Sequence, residues 1–258
     1  MATSRRRQTP RTNGTCALGA LCCTALALLP LLASPARDSI LAEGQRIAEL
    51  HAPSQQKAPG ATQLLAPGLQ RSYRLIPWDM RGHGESVSPD DQALYNHQHT
   101  VNDMCAILDH LHLEQAVIAG HSLGGFMSLA FHVAYPQRVK ALILQGCGPG
   151  YRNAEARATW NARAEQRART LETHGLSALG GGSEVRISTQ HSALGLAKAA
   201  RGILAQVDAR VIDSLPHIRV PTLIIVGAGI HRSSMAHITW RRVFHMPLRW
   251  WSSRRRMG

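Results

Sequence analysis

The chain has 258 residues, 44% of them apolar and 17% charged, the mixture of one sizeable globular domain and not of a disordered chain. Its net charge of +13 invites a nucleic-acid reading, but residues 71–228 hold 15 Lys and Arg against 13 Asp and Glu, while residues 229–258 hold 7 against none. The basic excess therefore belongs to the tails, no basic helical face marks the middle, and a nucleic-acid partner is not expected.

Arg5, Arg6, Arg7 and Arg11 precede an apolar run from about Cys16 to Ala33, and no acidic residue occurs before Asp38. That is the layout of an export leader ending near Ser34-Pro35-Ala36, which would direct the chain out of the cytoplasm; an unstructured extension fits the same residues. Pro30 interrupts the run, against a firm membrane-spanning helix, and no membrane partner is expected beyond a leader. Of the five cysteines only Cys105 and Cys147 lie in the middle of the chain, without metal-like spacing, so neither a disulfide framework nor a zinc site is expected.

Residues 37–70, rich in Gln, Ala, Pro and Gly, read as poorly specified helix and loop. Tyr73 to Pro77 is a strand running into the glycine-punctuated loop 78–86. Thr100, with Asp103 three residues on, is expected to cap a helix whose buried face carries Val101, Met104, Cys105, Leu108 and Leu111. Ala116 to Ala119 is a strand of the doubly buried kind, and a helix from Leu123 to Ala134 follows at once and stops before Pro136. Val139 to Leu144 and Pro221 to Val226 are further strands. Strands alternating with helices imply an α/β fold with a mostly parallel sheet. About seventy residues separate the last two strands, too many for one crossover helix, so 149–218 reads as an inserted helical lid, with helices over 154–173 and 193–215 on either side of Gly180-Gly181-Gly182.

The chemistry concentrates at Gly120-His121-Ser122-Leu123-Gly124-Gly125, a G-x-S-x-G spacing between a strand and a helix. Gly120 and Gly124 leave room for a tight turn around Ser122, with His121 shaping the same turn. The turn would hold the Ser122 hydroxyl above the sheet edge as a nucleophile, and the Leu123 backbone N–H would face a developing oxyanion.

With this turn, Asp79-Met80-Arg81-Gly82-His83-Gly84-Glu85-Ser86 and Val220 to Gly227, residues 71–228 resemble the α/β-hydrolase superfamily of serine esterases, lactonases and C–C hydrolases. The resemblance implies a flanked, mostly parallel sheet and a serine hydrolase of small ester, lactone or similar acyl substrates that needs no cofactor or metal. His83 and His121 belong to the matching motifs, where loop packing and elbow shape are their expected roles.

The pattern departs from the family in three places. The family's acid follows its seventh strand, whereas here no carboxylate occurs from Ser214 onward. No eighth strand is readable after Ile230, leaving His231, His237 and His245 as late histidines, with His231 the base candidate. The His-Gly loop that supplies a second oxyanion donor has no counterpart before Arg71. The fold is thus expected to be incomplete at both ends, with 229–258 a basic atypical tail. In a shifted reading frame from Gly229 onward, permissible codons allow a stretch similar to the family's acidic turn, helix and eighth strand, so a frameshift or altered splice is expected there. A non-catalytic homologue acting as a binding module is the rival reading.

Overall fold

A computed structural model describes residues 24–30, 73–179, 190–227 and 249–253. Six strands form one sheet: β1 (Thr24–Pro30), β2 (Tyr73–Asp79), β3 (Ala116–His121), β4 (Val139–Gln145), β5 (Thr222–Gly227) and β6 (Arg249–Ser253). Their order is β2-β1-β3-β4-β5-β6. The ladders from β3 to β6 are parallel, and β1 alone runs against both of its neighbours. The helices are α1 (His97–His110), α2 (Leu123–Ala134), α3 (Ala154–His174), α4 (Ala193–Ala199) and α5 (Arg210–Ser214). The α/β architecture expected from strand and helix alternation is the one observed.

Four elements depart from the sequence reading. Thr24–Pro30, assigned to the apolar leader, forms a strand inside the sheet. Arg249–Ser253, in a tail where no strand was expected, pairs with β5 as the last strand; Trp250 and Trp251 are residue types that favour strands. The helix expected to open at Thr100 starts at His97, because Asn96 caps it by accepting from the His99 N–H at 2.8 Å. Thr100 lies in the first turn with its hydroxyl donating to the Asn96 carbonyl, and Asp103 turns instead to Arg81. The helix expected over 193–215 breaks in the middle: α4 continues as a π turn over Ala200–Leu204, and Ala205 is extended. Asn161 and Gln206 cause the break, since the Asn161 side chain both accepts from the Gln206 N–H (2.8 Å) and donates to its carbonyl (2.9 Å), holding that backbone away from a helix.

Of the remaining expectations, the leader outside 24–30, the segment 37–70, Gly180-Gly181-Gly182 and residues 228–248 and 254–258 lie outside the described residues. Cys105 is partly exposed and Cys147 buried.

One hydrophobic core joins the sheet to the insertion. Met80 just after β2 and Ile118, Met127, Phe131 and Leu144 from the strands and α2 pack in the same cluster as Leu171, Leu196 and Ile203 from the insertion. The insertion approaches closely through glycines. A methyl on Gly202 would overlap the Tyr95 carbonyl, and one on Gly195 would come 2.9 Å from the Gly82 Cα. The π turn after α4 is tied to α3 by Arg201, whose guanidinium donates to Glu165 and Glu172.

Candidate active site

The turn after β3 is built by close backbone packing. Ser122 has φ 50° and ψ −116°, a strained conformation for a residue with a side chain. It is held there from both sides: the Ser122 N–H donates to the Gln145 carbonyl at the end of β4 (2.9 Å), and the Ser122 carbonyl accepts from the N–H groups of Gly125 (3.1 Å) and Phe126 (3.2 Å). A Cβ on Gly120 would overlap the Gly124 carbonyl, and a Cβ on Gly125 would lie 2.5 Å from Cys147 Sγ. Only glycines let strand and helix meet at this spacing. Every residue from Leu123 to His132 is buried, so α2 is a central helix and the turn has no freedom to relax outward.

This places Ser122 half-buried at the carboxyl end of β3 and at the amino end of α2. Helix geometry leaves the Leu123 N–H without an intrahelical acceptor. Among the described residues no hydrogen bond reaches the Ser122 hydroxyl. The sequence-predicted group of Gly120, His121, Ser122, Leu123 and Gly124 is therefore brought together at one turn, whereas His231, His237 and His245 lie outside the described residues.

The surrounding side chains divide into packing and positioning groups. His121 lays its ring over Gly146, whose missing Cβ would lie 3.5 Å from the ring's Nε2. His83 is 2% exposed and donates from Nδ1 to the Arg81 carbonyl (3.1 Å); burial pushes its pKa down to about 4, so it is neutral at pH 7. Its position is that of a packed loop residue. The Cys147 thiol is pushed up to about 12 by burial, which leaves it protonated and unreactive beside the turn. The family-like loop after β2 is braced by a two-pronged Arg81–Asp103 pair, both contacts 2.8 Å, and by Ser86, whose hydroxyl donates to the Asp79 carbonyl (2.7 Å).

Sequence reading missed the residues that carry the insertion to this end of the sheet. His97 stacks on Phe126 of α2 with ring centroids 5.2 Å apart and donates from Nε2 to the Ile203 carbonyl (2.9 Å). Burial lowers the pKa of His97. The Gln206 side chain accepts from the Tyr151 N–H (3.1 Å) beside Gly150, whose φ of +93° suits glycine. A polar residue closing a long-range contact has no periodic signature, so none of these was visible in the sequence.

Among the described residues no group of three or more His, Cys, Asp or Glu is placed to hold a metal ion, and no described helix is long and apolar enough to cross a membrane. A recess of about 560 Å³ lined by Asp109, Glu114, Gln137 and Arg138 lies at the amino ends of β3 and β4, the opposite end of the sheet from Ser122.

A family model described as the alpha/beta hydrolase fold matches residues 59–173. The chain is 41% identical over 93 residues to 2-hydroxymuconate semialdehyde hydrolase of Pseudomonas sp. (strain CF600), covering 34% of this chain and 32% of that protein. It is 29% identical over 189 residues to 3-oxoadipate enol-lactonase 1 of Acinetobacter baylyi (strain ATCC 33305 / BD413 / ADP1), covering 66% of each. The chain thus spans about a third of the first relative's length. In fold it is similar to the structure of MenH from S. aureus, with TM-score 0.56 and 21% identity over 69% of this chain and 74% of that one. A strand–serine turn–helix at the centre of a mostly parallel sheet, the family model over residues 59–173 and the likeness to this solved structure give the chain an α/β-hydrolase fold, and the relatives it resembles over parts of its length are hydrolases.

Proposed function

We propose that this chain is a serine hydrolase of a small ester, lactone or similar acyl substrate, with Ser122 as the attacking group. The observation that carries the proposal is the strained, doubly held backbone at Ser122, which carries a side-chain hydroxyl on a turn closely packed through its glycines. Strain of this kind is retained where surrounding contacts enforce it, and it is frequent at reactive residues.

In this reading the Ser122 Oγ adds to the substrate carbonyl carbon while a general base takes its proton. The Leu123 N–H, reinforced by the amino end of α2, stabilises the negative charge on the former carbonyl oxygen. Collapse of the tetrahedral species expels the alcohol, or opens the lactone, and water then releases the acid. His231 is the base candidate. Enol-lactonases and a semialdehyde hydrolase among the relatives support a small acyl or carbonyl substrate. The helices of the insertion, joined to α2 through His97 and Phe126, are positioned to select it.

The second reading is a homologue that binds without turnover, favoured by the run from Ser214 onward, which carries no carboxylate where the family's acid is expected. A fluorophosphonate probe separates the two. Covalent labelling of the folded chain that disappears in Ser122→Ala supports the hydrolase, and no labelling of folded protein supports the binding module.

A further inference from the structure

The strands β2 and β3 run in the same direction and are joined through α1, yet they are not neighbours. A position one strand wide lies between them, and Trp78 of β2, Met80 just after it and Ile118 of β3 belong to the same hydrophobic core as Val101 and Leu108 of α1. Two inter-strand spacings separate those backbones, roughly 10 Å, too far for β2 and β3 to pair directly. An empty slot would leave two facing rows of backbone donors and acceptors in the middle of a sheet.

We infer that the slot is a strand-acceptor site and that the chain's own apolar N-terminal stretch is its occupant, a part that the folded core requires. The register is specific: Thr24 to Pro30 pairs antiparallel with Asp79 to Tyr73 along its whole length, and Ala25 to Leu28 pairs antiparallel with Gly120 to Val117. The second ladder ends at Gly120, the residue whose packing against Gly124 shapes the Ser122 turn, so the strand that fills the slot also braces the strand that carries the turn. The sequence TALALLP has no charge and suits a strand covered on both faces. Because β1 opposes both neighbours in direction, it enters the sheet as a separate piece and not as a step of the strand–helix–strand path. Residues 24–30 therefore answer two opposite demands: cleavage near Ser34-Pro35-Ala36 would remove them, and the sheet needs them in place.

Disulfide trapping in the full chain tests this without reference to activity. With the five native cysteines replaced by alanine, Ala27→Cys is paired with Ile118→Cys, and Leu28→Cys with Val117→Cys. One of these neighbouring pairs is of the closer, non-hydrogen-bonded type and is expected to form a disulfide in the folded, soluble protein, identified as a linked peptide by mass spectrometry. Ala25→Cys with Val117→Cys, three residues out of register, should stay reduced. A chain starting at residue 37 is expected to lose the cooperative thermal transition of the full chain. Folded full-length protein in which neither in-register pair links, or a truncated chain that melts at the temperature of the full chain, overturns the inference.

Discussion

Gly120 and Gly124 meet backbone to backbone across the turn that carries Ser122, so closely that a single methyl on Gly120 would overlap the Gly124 carbonyl. The contact joins the last turn of a buried strand to the first turn of a buried helix, and neither partner can retreat without disturbing the core. Gly120→Ala should therefore destabilise the protein by about 3 kcal/mol, at the upper end of overpacking effects, measured by urea unfolding. Any probe labelling at Ser122 should fall with it, because the shift opens the turn.

The backbone strain at Ser122 is separable from its chemistry. Ser122→Ala and Ser122→Gly both remove the hydroxyl, but only glycine accepts φ 50° and ψ −116° without steric cost. Thermal melting should show the Gly variant more stable than the Ala variant by about 1 kcal/mol, with both inert to a fluorophosphonate. Equal stability of the two would show that the turn relaxes in solution.

His83 sets an acid limit on stability. In the unfolded chain it takes up its proton near 6.5, but in the folded chain only near 4. Falling pH thus favours the unfolded state across that window: the stability is present at pH 7, declines as pH falls below 6.5 and is gone below 4. Between pH 7 and pH 5 this one group removes about 2 kcal/mol. His97 and His132, also lowered by burial, act with the same sign. Urea titrations at the two pH values should show a smaller loss in His83→Gln than in the parent chain.

Arg81 and Asp103 make a planar, two-contact ion pair between the loop after β2 and α1, with side chains 23% and 29% exposed. A double-mutant cycle of Arg81→Ala and Asp103→Ala should give a coupling of about 1–2 kcal/mol, larger than for a fully exposed pair. The coupling should weaken only modestly with added salt. A coupling near zero would mean that the loop is held by its backbone bonds and Ser86 alone.

The Ser122 turn was legible because its requirements are local. Gly120, Ser122 and Gly124 fall within five residues, and the apolar runs on either side specify a buried strand and a buried helix. Helix α3 was equally legible, as a long segment without breakers. The start of α1 was misread because His97 and His99 are weak helix formers, and the capping oxygen of Asn96 acts four residues before the expected cap.

Sequence alone determined the α/β fold class, the serine turn and most of the strand–helix alternation, since each depends on residues close together in the chain and on the periodicity of burial. Tertiary structure decided the rest. Thr24–Pro30 is rich in Ala and Leu, which carry no strand preference, and it becomes a strand only because β2 and β3 present unpaired backbone on both sides of a slot of that width. The insertion breaks at Gln206 because Asn161, 45 residues away, claims its backbone. Where hydrogen bonds must be satisfied across long sequence separations, the partner's position is set by the packed core, and no local pattern encodes it.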